Sequence, residues 1–109
     1  MNPAHQFLDA QQHHKEHPDT FHIADDEAIQ ALRIGDSVKV CHNGERFWVI
    51  ITAITPALIS GEIANVLIND QPFDCDDIIS FERRHILNTE TKEEYEAAVE
   101  EWRKTLTPP

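Results

Sequence analysis

Hydrophobic residues recur at every second position through the middle of this chain and at every third or fourth position near its end. The first spacing is typical of β-strands and the second of an amphipathic helix. Asn43-Gly44 separates two of the apolar runs, and this dipeptide is a strong signal for a tight hairpin turn. The pattern predicts strands over 37–41, 46–55, 58–64, 78–81 and 85–87.

The predicted strand over 46–55 is apolar on both of its faces. Phe47, Val49 and Ile51 share one side, while Trp48 and Ile50 share the other, because successive side chains of a strand alternate. A strand of this kind has to be covered twice. The sequence therefore predicts a packed interior on one side of the sheet and a helix or a partner on the other.

A C-terminal helix is the predicted second cover. Thr91 and Glu94 have the spacing of a capping box, in which each side chain bonds a backbone amide of the first helical turn. The residues that follow place an apolar stripe on one helix face, and Trp102 is expected to pack against Trp48 or Ile50. The stripe consists of Tyr95, Ala98, Val99, Trp102 and Leu106.

Together these elements predict a mainly β, α+β domain: a small SH3-like β-barrel of about five strands. A short helix over 27–32, capped by Asp25 or Asp26 and ended by Gly35, precedes the first strand. Residues 1–21 contain little apolar surface and are expected to form a flexible, His-rich arm. Residues 22–109 are expected to form the barrel domain with its C-terminal helix.

Charge bears on the choice of partner. The 109 residues contain 20 acidic and 9 basic side chains, a formal net charge of -11. Acid is in excess in each of the segments 1–34, 35–88 and 89–109, so no detachable acidic tail is present. Such a field disfavours nucleic acid and anionic lipid and favours a basic protein partner, although it also serves solubility.

The expected location is the cytoplasm. The longest apolar run, 47–51, is far shorter than the roughly 20 residues that a spanning helix needs. The N-terminus lacks the basic start and apolar core of a signal peptide. Cys41 and Cys75 lack metal or redox spacing and are expected to be thiols without a disulfide.

No catalytic or cofactor signature is present. Three glycines cannot supply a phosphate-binding loop, and no serine stands in a nucleophile motif. His13 and His14 each lie about one helical turn from His17 and form with it a candidate zinc or nickel set, but a closed site needs four ligands on a rigid frame. The expectation is therefore a protein without enzymatic activity, cofactor or metal.

Candidate partner-binding residues lie on two segments near the fourth strand. Asp74, Asp76 and Asp77 in this region lack the spacing of a calcium loop. The basic cluster 83–85 has the chemistry to hold a carboxylate or phosphate, or else is an exposed connection balanced by acidic neighbours. The candidates are Asn65, Asn69, Asp70 and Phe73 before the strand, and Arg83 and Arg84 after it.

Several motifs resemble a group of small bacterial domains of unknown function, some of which lie near toxin and immunity genes. The motifs are Leu32-x-x-Gly35-Asp36-x-Val38-Lys39, Gly44-Glu45-Arg46-Phe47-Trp48-Val49-x-x-Thr52, Gly61-Glu62-Ile63-x-Asn65 and Asp77-Ile78-Ile79-x-Phe81-x-x-x-x-Ile86. The resemblance covers about residues 21–87 and implies a compact β domain without established chemistry. This chain departs from the pattern by inserting residues 66–71 before Pro72.

The sequence thus indicates a non-catalytic protein-binding module of an immunity-like or accessory kind. Two alternatives stay open. One is an acidic inhibitor of phage type that imitates the charge of nucleic acid, and the other is a small metal-handling protein that uses the N-terminal histidines.

Overall fold

The computed structural model describes residues 7–106 and has an α+β fold. Helices α1 and α2 come before the sheet, and helix α3 follows it. A short 3-10 helix, Arg83–His85, lies between the last two strands. The bounds are α1 Ala10–Glu16, α2 Asp26–Gln30, β1 Ser37–His42, β2 Glu45–Ile54, β3 Ile59–Ile63, β4 Ile78–Phe81, β5 Asn88–Glu90 and α3 Lys92–Leu106.

Within residues 7–106 the five strands form one antiparallel sheet in the order β4-β3-β2-β1-β5. The sheet is not closed, because β4 and β5 are its two edges and do not pair. The predicted barrel is therefore wrong, although the predicted α+β class and five strands are confirmed. The chain crosses from one edge to the other through Ile86 and Leu87, which are buried. Residues 85–87, predicted as the last strand, form part of this crossing. The last strand, β5, begins at Asn88, three residues after the predicted start.

Local signals account for the shape of the central strands. Asn43 and Gly44 adopt φ values of 48° and 75°, the positive values that a tight hairpin between β1 and β2 requires. Gly61 on β3 lies so close to β2 that an added Cβ would stand 2.3 Å from the Ile50 carbonyl oxygen. This close approach lies beside a shift of register between Ile51 and Ala53.

The hydrophobic core lies on one face of the sheet only. Alternate residues of β2 (Phe47, Val49 and Ile51) are buried there, as predicted. Ile29 of α2 and Phe73 of the loop before β4 pack on the same side. The opposite side of the sheet, which we call the outer face, contributes no residue to this core.

The segment before α2 packs on the sheet; the flexibility expected of residues 1–21 stays a prediction. Phe7 is 7% exposed and Ala10 is fully buried. The Phe7 ring stacks on Phe73 at 6.2 Å between centroids, and the Leu8 N–H donates to the Cys41 carbonyl oxygen at 2.9 Å. One aromatic residue without periodic neighbours is a weak sequence signal, yet here it fills the core; the expectation for residues 1–6 lies outside the described residues.

His85 lies beneath this segment. It is 7% exposed, and its ring centroid is 5.8 Å from that of Phe7. The Glu82 N–H donates to His85 Nδ1 at 3.0 Å, which requires the neutral ring. Burial lowers the pKa of His85, and the Arg84 charge lowers it further, whereas Glu82 and Asp9 act in the opposite direction.

We expect folding stability to fall as the pH drops below 6.5, the ordinary pKa of histidine. Since the folded-state pKa of His85 is lowered, the unfolded chain binds more protons in this range, so stability rises with pH and levels off above the unfolded value. Urea midpoints between pH 7.5 and 5 would measure the slope, and a His85→Gln variant should flatten it. The pKa values of Asp9 and Glu82 are lowered from 3.8 and 4.5. The effect of these two carboxylates on stability therefore lies at lower pH than that of His85. An unchanged slope in the variant would contradict this assignment.

Helix α3 begins as predicted but does not cover the sheet. The Glu94 N–H donates to Thr91 Oγ1 at 3.0 Å, and the Thr91 N–H donates to Glu94 Oε1 at 2.9 Å, which confirms the capping box. Trp102 is 63% exposed, so its predicted burial against Trp48 or Ile50 is wrong. Along 92–105 only Val99 is even partly buried.

The direction of α3 is set by Asp36, which is 2% exposed. Its Oδ1 accepts the Lys92 N–H at 2.9 Å, and its Oδ2 accepts the Arg33 N–H at 2.9 Å. One carboxylate thus joins the first turn of α3 to the turn before β1. The helix is tethered at its start and projects from there, so its apolar stripe does not reach across the outer face.

Candidate functional site

An open groove of about 530 Å³ lies on the outer face, at the junction of the sheet with the first turn of α3. Ile50 and Ser37 line its floor and belong to a row of paired residues that crosses all five strands. In register this row reads Ile78, Glu62, Ile50, Ser37 and Glu90. Because the alternation of β2 directs Ile50 away from the core, this side chain remains 40% exposed.

Aromatic residues form two sides of the groove. Trp48 lies one position along on the outer face, and its ring packs under the Lys39 ammonium at 5.0 Å from Nζ to the ring centroid. Tyr95 comes from the first turn of α3 and is 55% exposed. The tether at Asp36 is what places Tyr95 opposite the sheet.

The rim of the groove is mainly acidic. Glu90 and Glu96 line it, and Glu62 is the neighbour of Ile50 in register. None of these three carboxylates has an ion-pair partner within residues 7–106. Lys92 is the one cation among the lining residues, and its stem packs over Gly35.

The loop beside the groove is held in place by Glu45. This carboxylate accepts the Ile68 N–H at 2.8 Å and the Asn69 N–H at 2.9 Å. These two bonds lower the pKa of Glu45. The loop leaves Val66 and Ile68 82% and 91% exposed, so the segment 66–71 presents apolar side chains to solvent from a backbone held by hydrogen bonds.

The predicted loop residues do not converge on one site. Asn65 lines the groove, and its Oδ1 accepts the Trp48 N–H at 2.7 Å. Asn69 donates to the Asn43 carbonyl oxygen, and Asp70 accepts from Asn43 through its backbone. Phe73 is 5% exposed and belongs to the core, so its side chain is unavailable to a partner.

The two predicted arginines have internal partners. Arg83 donates to the carbonyl oxygens of Pro56 and Thr55 at 2.9 and 3.1 Å. Arg84 pairs with Asp9 at 2.7 Å and with Glu82 at 3.0 Å, and these bonds raise its pKa. The basic cluster of the sequence is therefore divided among structural contacts and does not form an anion site.

The described histidines and cysteines are not arranged as metal ligands. His13 and His17 lie 4.9 Å apart between ring centroids, and the His14 Nδ1 faces the Phe21 carbonyl. In the part of the chain that the structure describes, no group of three or more His, Cys, Asp or Glu side chains is arranged to hold a metal. Cys41 and Cys75 are free thiols, and burial raises the pKa of both.

Sequence reasoning identified the residues of the groove but assigned them to a covered surface. Trp48 and Ile50 were expected beneath the helix, and Tyr95 was expected on its buried stripe. The available signal was Asp36 in the Leu-x-x-Gly-Asp motif, because a buried carboxylate there has to be satisfied by backbone amides. That requirement does not by itself identify the element that supplies them.

Comparison with known proteins gives no assignment. Protein-family models, curated proteins and solved structures were each searched, and none matches this chain. Among the described residues, no helix combines the length and the apolar character needed to cross a membrane.

Proposed function

We propose that this chain is a non-catalytic protein-binding module whose outer-face groove receives an apolar segment of a basic protein. The observation that carries the proposal is the uncovered outer face. Ile50, at the centre of the sheet, is 40% exposed between Trp48 and Tyr95. Apolar side chains at the centre of a sheet are normally covered, and contiguous exposed patches mark interaction sites.

The composition of the groove favours a polypeptide over a small polar substrate. An aromatic and aliphatic floor with a charged rim has the anatomy of a protein interface, in which buried aromatic anchors supply affinity. Glu90 and Glu96 line the groove, Glu62 pairs with Ile50 in register, and none of the three has a basic partner in the described chain. A segment with a large apolar residue flanked by lysine or arginine would satisfy both features.

Net charge argues against a second copy as the occupant. Two chains of charge -11 repel each other, and the carboxylates on the rim would face one another in an isologous pair. The same field accelerates the encounter with a cationic partner. The immunity-like or accessory role suggested by the sequence is compatible with this chemistry.

The proposal is tested with a short amphipathic leucine–lysine peptide and with a matched leucine–glutamate peptide. We expect the first to shift the amide resonances around Ile50 and Tyr95 saturably and the second to leave them unchanged. An Ile50→Glu substitution should weaken binding about tenfold or more, because it places a charge at the apolar centre. Tyr95→Ala, on an exposed helical position, should act in the same direction.

Leu58→Glu is the matched control, since Leu58 is 43% exposed but lies outside the groove. It should bind the peptide as the parent chain does. Equal affinity of the parent and Ile50→Glu would show diffuse charge attraction and would overturn the groove as the site. A concentration-dependent dimer in sedimentation, lost in Ile50→Glu, would instead identify a second copy as the occupant.

A further inference from the structure

A second depression, of about 220 Å³, lies at the other end of the outer face, where β1 and β5 meet the segment before α2. Its polar wall consists of Lys39, Arg46, His22 and Asn88, and its apolar wall of Ile23, Ala24 and Leu87. No carboxylate is among these residues. We call it the cationic pocket.

The hairpin brings the two permanent cations together. Lys39 on β1 pairs in register with Trp48, and Cys41 pairs with Arg46. Lys39 and Arg46 are therefore diagonal neighbours on the same face, at about 7–8 Å in an antiparallel sheet. Asn88 of β5 pairs with Lys39 from the other side.

Neither cation is neutralised within the part of the chain described by the structure. Their contacts are with rings: Lys39 Nζ lies 5.0 Å from the Trp48 centroid, and Arg46 Cζ lies 5.7 Å from the Phe21 centroid. Neither residue is in an ion pair. Adjacent like charges destabilise a sheet, and none of the 20 acidic side chains, all of which lie within residues 7–106, forms an ion pair with either cation.

The remaining polar groups of the pocket are also suited to an acceptor. Asn88 Oδ1 accepts the Thr89 N–H at 2.9 Å, which leaves the Asn88 amide nitrogen as a donor. The His22 ring supplies a further N–H. These ammonium, guanidinium, amide and imidazole donors match the oxygen atoms of an anion. Glu90, the diagonal neighbour of Lys39 on β5, lines the groove and not this pocket.

We propose that the cationic pocket binds an oxyanion, either a carboxylate or a phosphate, with Lys39 and Arg46 as its principal ligands. The net negative charge of the chain does not prevent this, because salt screens the repulsion from distant carboxylates. The screening length is about 8 Å at physiological ionic strength. The site is separate from the groove and does not depend on the proposed function. Lys39 borders Trp48, so an occupied pocket would alter the surroundings of that ring.

Trp48 provides the measurement. In a Trp102→Phe background Trp48 is the single tryptophan. Titration with inorganic phosphate and, separately, with acetate should change its emission along a saturation curve, with sodium chloride at equal ionic strength as the reference. The stronger of the two responses identifies the class of anion. Amide shifts at Lys39 and Arg46 should follow the same curve.

Arg46→Gln and Lys39→Gln should each weaken anion binding about tenfold, the loss expected for one charge-assisted contact. Lys39→Arg should retain binding, and Lys15→Gln, a lysine outside the pocket, should have no effect. Urea midpoints of the variants should match the parent, which separates binding from folding. A response that is linear in salt, equal for chloride, or unchanged in Arg46→Gln would overturn the proposal.

Discussion

Replacing Phe47 with alanine should lower the free energy of unfolding by about 3–5 kcal/mol, the range for a truncated core aromatic. Phe47 is 1% exposed, on the inward side of the central strand, and its ring lies 5.7 Å from that of Phe73. The cavity left by the substitution would open beneath the middle of the sheet. For a domain of this size the loss is a large share of total stability. Urea denaturation followed by circular dichroism would measure it.

Trp102→Ala is the control, because it removes a larger aromatic ring from a residue that is 63% exposed. We expect a change within about 0.5 kcal/mol, as for other surface substitutions. A midpoint that moved as far as that of Phe47→Ala would mean that α3 covers the sheet in solution. The groove would then be closed in the free protein, and the binding proposal would fail with it.

Much of the fold could be predicted because its signals are local. Asn43-Gly44 requires only the backbone freedom of two residues, and the capping box at Thr91 requires only neighbours three positions away. The alternation along β2 likewise predicts which side chains are buried. The barrel was wrong because closure depends on whether two distant edge strands meet, and no spacing within a strand carries that information.

The predicted packing of α3 on the sheet was wrong for a related reason. Its apolar stripe predicts a helix face that packs against another surface, but tertiary contacts decide which surface that is. The Lys92 N–H bonds a carboxylate that is remote in sequence. This tether decides the direction of the helix, and Tyr95 and Trp102 of the stripe remain exposed. The amphipathic pattern therefore predicted the existence of the helix correctly, but not its position relative to the sheet.

The two candidate sites differ in how far the sequence revealed them. Trp48 and Ile50 were recognised as an apolar face that required a cover. The sequence did not indicate the cationic pocket, because a hairpin separates Lys39 from Arg46 along the chain. Arg83 and Arg84 are adjacent in sequence and were predicted as partner-binding residues instead. In the structure Arg83 bonds backbone carbonyls, and Arg84 bonds Asp9 and Glu82. Clusters in space and clusters in sequence are different sets here.

Substituting Asp36 with alanine should have the second large effect, about 3 kcal/mol, the upper end for a hydrogen bond to a charged group. The side chain is buried and accepts the Arg33 and Lys92 amides at 2.9 Å each. Without it the amides of Arg33 and Lys92 would each lose the acceptor of a part-buried hydrogen bond. Its backbone also accepts the Ile51 N–H at 2.9 Å, so the turn is part of the sheet itself.

The functional consequence of this substitution is loss of the groove. Tyr95 stands opposite Trp48 only because the first turn of α3 is tethered, so releasing that turn should remove one wall. Hydrogen exchange of the Lys92 amide and binding of the leucine–lysine peptide report the two effects separately. Measured where the variant is still folded, exchange should accelerate, and peptide affinity should fall about as far as in Tyr95→Ala.

Thr91→Ala separates the tether from ordinary capping. It removes the hydroxyl that accepts the Glu94 N–H but leaves both bonds to Asp36 in place. The expected cost is about 1 kcal/mol, confined to fraying of the first turn, with peptide binding nearly retained. If Thr91→Ala destabilised the chain and weakened binding as much as Asp36→Ala, the helix cap alone would position α3. In that case the buried carboxylate would be a feature of the β1 turn, and the groove would depend on the local stability of the helix.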